Sequence, residues 1–185
     1  MVLPASIVHS TEPPSDAGLV ARVRAGDPDA LSAVYHRHAA AMLTLAARLL
    51  GSASEAEDVV QDLFVGLPEA LGHYRESGQF PAWLRRILVR LVLMRLRAER
   101  RRREADFHEA STLSAFPAGC SGDQADLALA LMQLPEDQRV VVVLKAIEGY
   151  SHDEIAELLG IRRNSSEVRF HRALQRLRQV LEASC

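Results

Sequence analysis

The sequence predicts an all-α chain built as two small helical domains joined by a flexible linker, the C-terminal one a helix-turn-helix. Three observations carry that expectation. Apolar residues recur at helical spacing over nearly all of residues 17–103 and again beyond residue 124. Between them, ADFHEASTLSAFPAGCSGDQ (105–124) loses the periodicity and gathers Ser, Gly, Pro and Ala. Finally, SHDEIAELLGIRRNSSEVRFHRALQRLR (151–178) reads as two helices around a glycine turn.

Taken in order, residues 1–15 lack both a basic start and a sustained apolar stretch, so a flexible leader is expected there rather than a signal peptide. In PDALSAVYHRHAAAMLTLAARLLG the apolar positions 31, 34, 35, 42, 45 and 49 share a side, and Gly51 ends the helix as a C-cap. Ser54 stands three before Glu57, a capping-box pattern opening a helix through about Tyr74. Gly78 and Pro81 punctuate before PAWLRRILVRLVLMRLRAERRRR, whose middle is apolar on nearly all sides and which is expected to be the central helix of the first bundle. Trp83 is expected in its core.

After the linker come DLALALMQL, PEDQRVVVVLKAIEG, SHDEIAELLG and SSEVRFHRALQRLRQVLEA. The run Val140–Val143 has strand propensity, but Pro135 and two acids before it, with Gly149 after it, favour a helix. The predicted domains are therefore 16–104 and 125–185, with the linker at 105–124.

In the last unit, Ser151 and Glu154 form a capping box, Gly160 permits a sharp turn, and Asn164 or Ser165 can cap the helix that follows. On a helical wheel Phe170, Leu174, Leu177 and Leu181 make an apolar stripe for docking. Ser165, Arg169, Arg172 and Arg176 make a second stripe nearly opposite, with His171 on its flank. A second helix presented in this way suits the DNA major groove.

The formal net charge of −2 conceals segregation. Residues 81–103 hold nine arginines against Glu99 alone, residues 161–178 hold six against Glu167, and residues 53–70 hold five acids and no base. Local patches, not the sum, decide what a surface binds. Arg86, Arg90, Arg97 and Arg101 share one side of their helix and make a second nucleic-acid contact, because guanidinium groups suit phosphates. Glu55, Asp58, Asp62 and Glu69 share a face opposite Val60, Phe64, Leu67 and Leu71; that acidic face meets solvent or a basic protein partner.

Other classes find little support. Seven histidines make no metal-ligand spacing, and no phosphate loop or nucleophile motif is present, so no enzyme activity, cofactor, metal or small-molecule substrate is expected. Cys120 and Cys185 have no neighbour at redox or ligand spacing, which fits a reducing, cytoplasmic setting. No apolar run is long enough to span a bilayer, so no direct membrane insertion is expected.

The segments AEDVVQDLFVGL (56–67), FPAWLRRILVRLVLMRLR (80–97), LPEDQRVVVVLKAIEGYSHDEIAELLG (134–160) and VRFHRALQRLR (168–178) closely resemble bacterial RNA polymerase sigma factors of the extracytoplasmic-function (ECF) type. The resemblance covers most of residues 17–180. It implies that Asp58, Gln61 and Asp62 contact the clamp helices of core RNA polymerase, that the 80–103 helix melts and reads the −10 element, and that the 151–178 segment reads the −35 element of promoter DNA. It also implies an anti-sigma factor as a further partner, which could hold the protein at the membrane. The chain departs from the family pattern where Arg90 and Met94 replace a common asparagine and aspartate, and where Glu167 and Val168 replace a basic or small polar pair. Glu167 can accept from cytosine N4 or serve as a helix cap. The competing reading is a stand-alone helix-turn-helix regulator, which would need a dimerisation surface or ligand pocket in residues 17–103.

Overall fold

A computed structural model describes residues 14–106 and 122–183, and every element among them is helical. The expected leader up to residue 13, linker residues 107–121, and both cysteines lie outside the described residues. The helices are α1 (Asp16–Arg24), α2 (Pro28–Leu50), α3 (Ala53–Ala70), α4 (Phe80–Asp106), α5 (Gly122–Met132), α6 (Glu136–Val142), α7 (His152–Leu159) and α8 (Arg163–Ala183). Thus α4 and α5 take in both ends of the stretch read as linker.

Local chemistry sets most boundaries. Ser15 caps α1 by accepting from Gly18 N–H, and Asp27 caps α2 by accepting from Asp29 and Ala30, with Pro28 at the first helical position. Gly51 closes α2 in the left-handed region at φ 76°. The cap of α3 is Ser52 rather than Ser54: extended at φ −141°, Ser52 aims its hydroxyl at Glu55 N–H, while Ser54 already lies inside the first turn. That helix ends at Ala70, and a single 3₁₀ turn, Leu71–His73, follows. The four valines are helical and buried, and the helix widens into one π turn over Val143–Ile147, where Glu148 N–H reaches the Val143 carbonyl.

The hub of the core is α2, not α4. It packs against α1, α3 and α4, and also against α5 and α6 of the second unit. Its buried positions include Ala30, Ala39, Ala46 and Ala47, whose small side chains let neighbours approach on several sides, along with Val34, Met42, Leu45 and Leu49. The arginines of α4 confine that helix to a narrower buried face, on which Leu84, Leu88, Val92 and Leu96 lie. Trp83 is half-buried, with its ring 4.7 Å from Tyr74 and 5.8 Å from Phe80.

The two helical units meet along a seam, and their buried apolar residues form one continuous cluster. Arg139 of α6 is 8% exposed; its Nε and Nη2 donate to the carbonyls of Leu49 and Leu50, 3.2 and 2.9 Å away at the end of α2. Farther along, Arg103 and Arg100 of α4 reach Glu136 at 3.0 and 3.5 Å.

At the other end, α1 is tied to α2 by Asp16, which accepts from Arg37 at 2.7 Å and meets His38 Nε2 at 3.1 Å. Partial burial alone would raise the Asp16 pKa, but the hydrogen bonds from Arg37 and His38 outweigh it and hold the carboxyl below its ordinary value. Its contribution to stability is therefore present above the ordinary aspartate pKa and is lost as pH falls through the lower folded one. Asp16→Asn is expected to lower the thermal midpoint by about 2–4 °C, the shift made by a loss of about 1 kcal/mol in a chain of this size. The gap from the natural chain should persist at neutral pH and close in acid; equal midpoints at pH 7 would contradict the assignment.

Candidate nucleic-acid interface

The C-terminal unit builds a helix-turn-helix from three local devices. Ser151 Oγ accepts from Glu154 N–H, and Glu154 Oε2 accepts from Ser151 N–H at 2.8 Å, the full capping box. The Ser151 N–H and the Ser151 hydroxyl, both donating to the carboxylate, hold the Glu154 pKa below its ordinary value. Gly160 takes φ 66°, and Ile161 N–H closes back on the Ala156 carbonyl at 3.0 Å, a Schellman turn. The start of α8 is then pinned from beneath: the fully buried Ser166 meets His152 Nδ1 at 2.9 Å, and His152 packs edge-on against Phe170. Sequence reading overlooked this pair, since His152 has no ligand spacing and Ser166 sits among apparently exposed polar residues.

Helix α8 begins at Arg163, so Asn164 and Ser165 lie within its first turn instead of capping it. Its inward line runs Ser166, Phe170, Ala173, Leu177, all buried except the half-buried Phe170, about 40° round from the all-apolar stripe expected at 100° per residue. The expected line followed the large residues, whereas close packing occurs at the small ones, and Leu181 is left 47% exposed. The rotation redistributes the predicted DNA residues. His171, Arg172 and Arg176 are exposed, Ser165 is half-buried, and Arg169 is turned aside to pair with Asp137 at 3.3 Å. Asn164, Val168 and Gln175 come into the exposed line with His171 and Arg172. Glu167 is held by Arg163 at 2.9 Å, one turn before it.

The second basic stripe is also assembled as expected: Arg86, Arg90, Arg97 and Arg101 are all exposed along one side of α4, with Met94 between them at 62%. This stripe does not face open solvent throughout. Arg86, Arg90 and Arg97 line a groove of about 630 Å³ whose opposite wall is Tyr150, Glu154, Glu157 and Leu158. Arg97 donates to the Leu158 carbonyl at the end of α7.

On α3, Asp58, Gln61 and Asp62 are exposed together, over the buried Val59, Val60, Leu63 and Phe64. Asp58 pairs with Arg95 of α4 at 3.1 Å across a well-exposed surface, a contact of little energetic weight. Beside Gln61 an apolar groove of about 670 Å³ opens between α2 and α3, walled by Leu31, Tyr35, Phe64 and Val65, with Val65 74% exposed. Sequence reading had no signal for this groove, because its apolar residues come from two helices and each looks like an ordinary core position. Among the described residues no group of three or more His, Cys, Asp or Glu side chains could hold a metal ion.

Comparison with known proteins decides the family. Residues 34–102 match sigma-70 region 2, and residues 124–177 match sigma-70 region 4. The chain belongs to the sigma-70 family, in its ECF group. RNA polymerase sigma factor CarQ of Myxococcus xanthus is 32% identical over 166 residues, 86% of this chain and 94% of CarQ. The ECF sigma factor SigM of Mycobacterium tuberculosis is 32% identical over 90% of this chain and 85% of its own length. Among solved structures, CnrH in complex with the cytosolic domain of CnrY is 32% identical, with a TM-score of 0.52 over 90% of this chain and 97% of that one.

A sigma factor gives RNA polymerase its promoter specificity, and that is the function of this protein. The match of both regions across nearly all of CarQ disfavours the stand-alone regulator.

The turn of the helix-turn-helix can be tested on the sigma factor directly. A Cβ at Gly160 would meet nothing within 4 Å, so a substitution there acts through the backbone alone. Gly160→Ala is expected to cost about 1–2 kcal/mol of stability from the left-handed conformation, and Gly160→Asn less. Equal thermal midpoints for all three proteins would show that the turn is not held as described.

Proposed function

We propose that this sigma factor reads the −35 element with the exposed side of α8, contacts the −10 element with the arginine stripe of α4, and docks on core RNA polymerase through Asp58, Gln61 and Asp62 of α3. The division of labour corresponds to a region 2-like domain at 16–104, a linker at 105–124 and a region 4-like domain at 125–185. One observation carries the reading. The first half of α8 stands out from a turn closed by Gly160 and is anchored beneath by Ser166 and His152, so Asn164, Val168, His171 and Arg172 face outward at the groove-entering end. Arg172 and Arg176 supply phosphate or guanine contacts, and the exposed Val168 methyls suit a thymine methyl.

The acidic face of α3 repels DNA and suits a protein partner with basic residues, and the apolar groove beside Gln61 extends that surface. The protein carries out no chemistry itself; strand opening draws on binding energy, and the polymerase supplies the catalytic site. It acts in the cytoplasm, alongside the polymerase it serves. An anti-sigma partner is part of this reading. The family resemblance supports it, as does CnrH, which was solved together with a second chain, the cytosolic domain of CnrY.

Run-off transcription with purified core polymerase, this protein and a genomic fragment library tests the whole reading. Transcripts should depend on the protein and share two upstream elements; a protein that shifts DNA but directs no initiation would restore the stand-alone regulator. In the same assay Arg172→Ala should lose about 1–3 kcal/mol of discrimination at one −35 position if it contacts a base, or weaken all promoters equally if it contacts phosphate. Unchanged run-off would remove Arg172 from the site. Reversal of Asp58 and Asp62 to lysine should weaken association with core polymerase while leaving circular dichroism unchanged, and normal holoenzyme formation would remove these residues from the contact.

A further inference from the structure

A cation at the start of a helix is opposed by the helix dipole and by the unpaired N–H groups beside it, and acids are favoured there instead. Helix α8 nevertheless opens on Arg163, directly after Arg162. Local helix stability therefore does not account for Arg163. Two carboxylates hold it. Its Nε donates to Glu167 Oε1 at 2.9 Å, one turn on in the same helix, and its Nη1 donates to Asp153 Oδ2 of α7 at 3.3 Å. The Glu167 contact is the better formed, since that side chain is 36% exposed against 69% for Asp153. The Arg163 side chain itself stays 62% exposed, and among the described residues nothing engages its Nη2.

Helical geometry puts this pair where DNA is expected. Arg163, Glu167, His171 and Gln175 succeed one another at four-residue spacing, in the row beside Asn164, Val168 and Arg172. Side chains on a helix lean toward its N-terminus, so the Arg163 fork lies over the groove-entering tip of α8. An acid on such a face repels phosphate, and an unheld Glu167 would weaken DNA binding. Tied to Arg163 it has a different effect. It occupies Nε and leaves the two terminal nitrogens presented together, the arrangement that meets guanine O6 and N7. The other arginines on this part of α8 differ. Arg169 is turned to Asp137, and Arg172 and Arg176 have no carboxylate partner among the described residues to fix their forks.

We propose that Arg163 reads a guanine of the −35 element through Nη1 and Nη2, with Glu167 as the positioning residue that aims the fork and Asp153 as the exposed contact that yields when DNA arrives. This rests on α8 as the −35 reader, and adds to that reading a base and the two residues that select it.

The test uses holoenzyme assembled on core polymerase and a promoter mapped by run-off, with its −35 element randomised; the DNA bound by each variant is sequenced. The natural chain should favour G·C at one position by about tenfold, and Arg163→Ala should lose that preference while keeping those at the other positions. Glu167→Gln retains an oxygen for Nε and should retain the guanine preference. Glu167→Ala should relax it yet bind every sequence more tightly, because an anion has left the DNA-facing side. A pair that only bolts α8 to α7 would give the opposite pattern, lower thermal midpoints with base preferences intact. Midpoints are expected to stay where they are, because the pair is exposed.

Uniform weakening by Arg163→Ala would make it a phosphate contact and overturn the guanine assignment. A shift from cytosine to adenine in Glu167→Gln would show Glu167 reading the base itself, and overturns it equally. Arg172→Ala scores the underlying reading separately. If that variant alters −35 binding and Arg163→Ala does not, the pair is wrong and α8 still reads the element. If neither variant alters binding to any −35 sequence, the α8 assignment fails and the pair with it.

Discussion

The arrangement of the two units depends on how the C-terminal end of α2 is satisfied. A helix leaves its last carbonyls without intrahelical partners, and they carry the negative end of its dipole. At Leu49 and Leu50 those carbonyls face inward beneath α6, where water cannot serve them, and the Arg139 guanidinium takes them both. A buried cation is costly unless its donors are used, and burial lowers the Arg139 pKa from its ordinary value, with Glu136 and Glu55 acting in the opposite sense. Five donors in a fixed fork and a charge that is never lost at physiological pH make arginine suited to this position, where a lysine would present a single point. Gly51 is required twice, for its left-handed φ and for the space the guanidinium fills. Because α2 is also the hub of the first unit, a contact at its end fixes the second unit relative to the entire core.

The same device recurs. Arg24 of α1 donates to the carbonyls of Leu71 and Tyr74 where the 3₁₀ turn ends, and Arg97 of α4 donates to Leu158 at the end of α7. Arginine thus serves two purposes in this chain, completing helix ends and presenting charge outward, and the two cannot be told apart by counting. Charge segregation along the sequence correctly locates basic surface on α4 and α8. It does not register Arg139, which stands alone between acids and valines, and it does not show that Arg97 is occupied or that Arg169 is turned to Asp137.

What was legible in the sequence is what local chemistry decides. The all-helical class, the capping box at Ser151 and Glu154, the Gly51 and Gly160 turns and the helical reading of Val140–Val143 all follow from interactions within a few residues. The rest depends on which neighbour a face meets. Two serines two residues apart offer equivalent caps until the backbone chooses Ser52. Hydrophobicity ranks leucines above Ala173 and Ser166, yet the small pair marks the closest approach and therefore sets which way α8 faces. The hub was assigned to α4 from its apolar middle, but alanines let α2 accept partners on more sides. Among the candidate site residues, the shared exposure of the α3 acids and of Arg172 and Arg176 on α8 needed only periodicity; the Ser166–His152 anchor needed the fold.

The chemistry of the seam is also the chemistry of the proposed ligand. On α4, guanidinium groups are satisfied by a helix-end carbonyl and by carboxylates, and phosphate oxygens offer the same acceptors with more charge. Exchange from one set to the other leaves few donors empty, so a phosphate contact need not strand a charge on α4. The contacts at the seam's edge are partly exposed, and exposed pairs of this kind contribute about 0–1 kcal/mol each. Arg139 is different, because its separation from Leu49 and Leu50 exposes two carbonyls and a cation together to water, which can solvate all three.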